Sequence, residues 1–114
     1  MDFVLLIHGD EMLWDAFSES ERRRMAEAHR RFGREMVEAG VNVKYGAGLT
    51  RSREGRLVRP DGPAVQGPYA VGREQIGGIW IIDVASAEEA ESWARKMPYA
   101  PGDIVEVRPC DPTA

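Results

Sequence analysis

Two stretches of this chain are apolar on both side-chain parities, and they constrain the fold more than any other feature. Residues Phe3-Val-Leu-Leu-Ile7 and Ile76-Gly-Gly-Ile-Trp-Ile-Ile-Asp-Val84 each read as a strand wanting cover on both faces of its sheet. A third strand, Val41-Asn-Val-Lys-Tyr45, alternates and fades through Gly46 and Gly48. A fourth, Ile104-Val-Glu-Val-Arg108, places Val105 and Val107 on one face and Glu106 and Arg108 on the other. The Gly77-Gly78 pair predicts a bulge or a close backbone approach.

Between the strands lie two helical segments. Ser18-Glu-Ser-Glu21 is a capping box ahead of a helix running to about Ala39, with Met25, His29, Phe32, Met36 and Ala39 on one stripe and Gly40 as its closing glycine. Ser86-Ala-Glu-Glu89 is a second capping box, opening a helix through Ala90, Trp93, Ala94 and Met97 that Pro98 ends. Residues 51–72 are rich in Gly, Pro and Arg and read as an excursion carrying a small hairpin. Its turns are expected at Arg53-Glu-Gly-Arg56, Asp61-Gly-Pro63 and Gln66-Gly-Pro68. The order β-α-β-(insert)-β-α-β predicts an α+β, split-βαβ, ferredoxin-like domain spanning 1–114. Two helices cover one face of such a sheet, so a second copy of the sheet is the expected cover for the other: a homodimer.

Bulk properties narrow the partners. With 15 basic and 19 acidic residues, net charge −4, nucleic acid is not an expected partner. The basic run from Arg22 to Arg34 is interleaved with glutamates and reads as a solvated helix face. The N-terminal apolar run is too short for a signal sequence or a membrane span, so a cytoplasmic location with no membrane partner is expected. The single cysteine, Cys110, forms no internal disulfide. No stretch has the spacing of a phosphate-binding or dinucleotide loop, and the two histidines lack the carboxylate spacing of a metal site. A cofactor-free, metal-free protein is expected.

Five segments together resemble the YCII-related, DGPF-type family: Phe3-Val-Leu-Leu-Ile-His-Gly-Asp-Glu11; His29-Arg-Arg-Phe32 ahead of Ala39-Gly40; Gln66-Gly-Pro-Tyr69; Arg73-Glu-Gln-Ile-Gly-Gly-Ile-Trp80; and Val105-Glu-Val-Arg-Pro109. The resemblance implies a ferredoxin-like fold dimerising as an α/β barrel; most of the family has no assigned activity. Relatives include a dehydrochlorinase of chlorinated hydroxyhydroquinones, and a histidine with a nearby aspartate is the active pair proposed in others. Three acids usual in relatives are replaced here, by Gln66, Val71 and Met97.

Candidate chemistry follows. His29 is polar on an apolar stripe; it is either a general base or a core histidine bonded to a carbonyl. Glu106 and Arg108 share a strand face and either orient a polar substrate or form a structural or interface ion pair. His8, with Asp10 at the end of the first strand, is a second acid/base candidate or a solvated strand end. Tyr69, Trp80 and Tyr45, with Gln66, are candidate walls for a small-molecule ligand, or simply core and interface aromatics. These residues predict cofactor-independent acid–base chemistry of the lyase, isomerase or cyclase type, with His29 as base and Arg108 as stabiliser. That pairing requires contact around a sheet edge. The alternative is a non-catalytic ligand-binding module.

Overall fold

Strand β1 (Asp2–Asp10) alternates without interruption: Phe3, Leu5 and Ile7 are buried, and the residues between them are half-buried. A computed structural model describes residues 1–114. After β1 come α1 (Glu11–Asp15), α2 (Glu19–Glu38), β2 (Asn42–Gly48), β3 (Arg56–Leu57), β4 (Val65–Gln66), β5 (Glu74–Asp83), α3 (Ala87–Lys96) and β6 (Ile104–Pro109). The main sheet has four strands in the order β2-β5-β1-β6, all antiparallel. This is the ferredoxin-like arrangement predicted from the element order.

Local chemistry explains where α2 begins and ends. Ser18 Oγ accepts the Glu21 N–H at 3.2 Å and the Glu21 carboxylate accepts the Ser18 N–H at 3.1 Å. At its C-terminus Gly40 takes φ +86°, its N–H donates to Val37 O, and Val41 N–H donates to Met36 O. That is a Schellman closure, which needs a left-handed residue and so favours glycine. The second cap differs from expectation. Ser86 Oγ accepts the Glu89 N–H, but the Glu89 carboxylate accepts from Ala85 N–H rather than from Ser86. Ser86 is the more extended cap, at φ −155° against −68° for Ser18. Helix α3 stops at Met97, whose ψ of 148° is the extended conformation forced ahead of Pro98.

The core lies between the helices and one sheet face: Phe3, Leu5, Phe32, Met36, Val41, Ile82, Ala90 and Met97 are among its buried members. Ala39, expected on the buried stripe, is exposed because it caps the helix instead of lying on it. The double glycine of β5 does produce a bulge. Pairing steps from Ile7↔Gly78 to His8↔Ile76, leaving Gly77 unopposed. The insertion carries the expected small hairpin, with Arg56 opposite Gln66 and Leu57 opposite Val65, but not the expected first turn. Ser52–Glu54 form a single 3-10 turn that leads into β3, and the chain reverses over 58–64, where Asp61-Gly62-Pro63 lie and Gly62 has φ +99°. No helix is long and apolar enough to cross a membrane.

Candidate functional site

A cleft of about 590 Å³ lies on the helical side of the sheet, roofed by α2 and floored by β2 and β5. That volume is in the range of small-molecule sites. Two tryptophans shape it. Trp80, from β5, meets Phe32 edge-to-face at 5.5 Å between ring centroids and fills the space left by two glycines. A Cβ on Gly33 would come 2.9 Å from its ring, and one on Gly46 would come 2.5 Å from it. Trp14, on α1, occupies a second notch, between Gly9 and Gly77. Its indole N–H donates to Asp103 Oδ1 at 3.0 Å, as a buried indole requires. Asp103 Oδ2 accepts the Ala100 N–H at 2.9 Å, which fixes the carboxylate.

His29 lines this cleft with Trp80, Trp14 and Asp103. Its ring is half-buried and makes no hydrogen bond to a carbonyl or any other group of the chain, so the carbonyl-bonded alternative does not describe it. Burial pushes its pKa below the ordinary 6.5, with the Asp103 charge pulling the other way. The imidazole is therefore held neutral near pH 7, while a negative field awaits the imidazolium.

The other sequence-predicted residues lie elsewhere. His8, Glu106 and Arg108 form a row on the sheet face away from the helices. His8 Nε2 is 2.9 Å from Glu106 Oε1, and Arg108 Nε is 3.9 Å from Glu106 Oε2. Arg108 pairs with Val4, on the parity opposite Leu5 and Phe3, so the sheet separates it from His29. The structure does not bring together the His29–Arg108 pairing weighed from the sequence. Tyr69 is 87% exposed and lines a second groove, of about 540 Å³, with His8, Ser52, Glu74 and Ile76. Gln66 holds the insertion closed, its side-chain N–H donating to Arg53 O. Tyr45, opposite Ile81, is exposed on the edge strand. Of the candidate wall residues only Trp80 lines the cleft with His29.

Sequence reasoning missed Trp14, Arg51 and Asp103. Arg51 places its guanidinium 5.4 Å from the Trp14 ring centroid and bonds Asp15 through Nε at 2.7 Å. The arginines of α2 are exposed, as the solvated-face reading expects. Arg23 pairs with Glu19 and Arg30 with Glu27, but Arg22 and Arg30 also border the cleft. No three His, Cys, Asp or Glu side chains gather in a metal-holding group.

The model of the YCII-related domain matches residues 1–113. The chain belongs to the YCII-related family. A protein of uncharacterised function from Rhizobium meliloti (strain 1021) is 30% identical over 113 residues, covering 96% of this chain and 91% of the relative. Met97, where the family resemblance led an acid to be expected, is a buried core side chain, 4% exposed. Val71, at another such position, is 98% exposed.

Proposed function

We propose that this YCII-related protein is a cofactor-independent acid–base enzyme of the lyase, isomerase or cyclase type, acting on a small polar or aromatic metabolite in the Trp80 cleft. The observation that carries this reading is His29: a half-buried imidazole without an internal partner, lining a ligand-sized cleft and held neutral by burial. A neutral imidazole accepts a proton from an acidic C–H or O–H of the substrate. The fixed Asp103 carboxylate then stabilises the imidazolium, and the proton is returned at the new position or to the leaving group.

The experiment is solvent-deuterium exchange into the acidic C–H positions of a panel of small carbonyl compounds, followed by NMR. The wild type should accelerate exchange in at least one, and His29→Gln should lower that rate by about 10²–10⁴-fold. A folded His29→Gln protein within a few-fold of wild type would reject the role of His29. A binding module without chemistry is the second reading, favoured by Gln66, Val71 and Met97 standing where relatives carry acids.

We further propose a single-domain cytoplasmic protein that works as a homodimer. Val4 faces Ile81, and Leu6 faces Ile79, on the sheet side that no helix covers, with Ile104 and Tyr45 exposed nearby. The molecule is only 18 Å thick along its short axis, one sheet and one helical layer. A second sheet packed on that face gives the dimeric α/β barrel, with Glu106 and Arg108 supplying opposite charges to a self-complementary rim. In that assembly the His8–Glu106–Arg108 row borders the space between the sheets.

A further inference from the structure

Arginines outnumber acids among the side chains that line the Trp80 cleft, although the protein as a whole is acidic. The chain carries net charge −4, yet the ionised side chains lining the cleft are Arg22, Arg30 and Arg51 against Asp103 alone. Asp103 has both oxygens committed, to Trp14 and to Ala100. Arg30 is committed to Glu27 through Nε and Nη2. The other two arginines keep donors to spare. Arg51 bonds Asp15 through Nε only, its guanidinium lies over the Trp14 ring, and its two terminal nitrogens make no hydrogen bond. Arg22 gives one N–H to the Asp15 carbonyl at 3.2 Å and has the rest free. The Asp15 side chain and main chain thus tether two guanidinium groups beside one opening.

We propose that the ligand of this cleft is a planar, apolar-bodied carboxylate, its ring lying against Trp80 and its anionic end held by Arg22 and Arg51. The proposal rests on the cleft being the ligand site, and it adds the substrate class. Guanidinium forks match the planar carboxylate better than any neutral group. The guanidinium donors left over by Asp15 offer an anion a local anchor on an otherwise acidic protein. The tryptophan walls, seated in glycine notches, favour a flat body over a bulky one. Such a ligand brings its ring carbons toward His29, which lines the same cleft, with its negative end held at the arginines.

The test uses 1-naphthoate and its neutral isostere 1-naphthamide, titrated into the wild-type protein while the Trp14 and Trp80 indole N–H signals are followed by NMR. The acid should bind at least about tenfold more tightly than the amide, an interval of about 1.4 kcal/mol, with the largest shifts at the two indoles and weakening as salt is raised. The interval should shrink in Arg22→Gln, an exposed position that leaves the fold intact, and vanish in Arg22→Gln/Arg51→Gln. Acid and amide binding alike, neither binding, an interval that survives the double variant, or shifts centred on the Tyr69–His8 groove would each overturn it. His29→Gln should keep the preference for the acid. An inactive anion site therefore reads differently from an active site that ignores charge: the first refutes proton transfer, the second refutes the carboxylate.

Discussion

Adding one methyl group at Gly46 tests whether the cleft wall is built as described. An ideal Cβ there lies 2.5 Å from Trp80 Cε3 and Cζ3 and 3.1 Å from Cδ2. Ordinary carbon contacts lie at about 3.5–4.0 Å, so the indole must move by roughly 1 Å. It has little room to do so, because Gly33 and the Phe32 ring lie against it. Two effects compete. Alanine in a strand gains about 0.5–1 kcal/mol over glycine, and overpacking costs about 1–3 kcal/mol. The clash outweighs the gain, and Gly46→Ala should destabilise by about 1–2 kcal/mol. In a Trp80→Leu background the ring is gone and only the gain remains, so the same substitution should be neutral or slightly stabilising. The double-mutant cycle should give a coupling of about 2 kcal/mol. Urea unfolding followed by far-UV circular dichroism reads this without relying on Trp80 emission. With slopes of about 1–3 kcal/mol/M, the effect is a midpoint shift of the order of 1 M. A stabilising Gly46→Ala in the wild type, or additive effects in the cycle, would refute the reasoning.

Two further outcomes are expected. Sedimentation at micromolar concentration should show a dimer, and Ile81→Lys on the open sheet face should yield a monomer; a wild-type monomer would remove the argument for the covered sheet. Stability should also respond to His29 on acidification. Its folded pKa lies below the ordinary 6.5 because of burial, so the unfolded chain binds more protons there, and stability is highest above that value and falls as pH drops through the folded pKa. The urea midpoint should decline from pH 7 to pH 5, and His29→Gln should flatten that decline. Asp10, Asp15 and Glu27 are each held low, chiefly by arginine hydrogen bonds, and lose their contributions only at more acid pH.

Local signals carried the fold. The capping box at Ser18, the closing glycine at position 40, the double glycine that bulges β5 and the alternation in β6 each act within a few residues, so each is written where it operates. Helix α1 escaped notice because five residues, Glu11–Asp15, are too few to show a helical period; Asp10, whose Oδ1 accepts the Met12 N–H, was its only mark. The hairpin turn was misplaced because Gly55 and Gly62 are equally good turn formers by composition, and pairing across β3 and β4 chose between them. His29 was legible as a polar residue on an apolar stripe. Trp80 was legible as a candidate wall; Trp14, Arg51 and Asp103 were not, since they meet only through the folded sheet. Asp103 follows a Pro-Gly pair and reads from sequence as an ordinary turn acid. The spare glycines were the missed clue: Gly9, Gly33, Gly46 and Gly77 are the imprint of two indoles.

On the proposed reading the cleft presents His29 as a neutral base beside a fixed carboxylate. That reading is tested most directly by following the His29 Cε1–H resonance through a pH titration in the wild type and in Asp103→Asn. The wild-type midpoint should fall below 6.5, the ordinary value, and the variant's midpoint should fall lower still, because the only charge favouring the imidazolium has been removed. A wild-type midpoint at or above the ordinary value, or one that stays unchanged or rises when Asp103 is neutralised, would contradict the account.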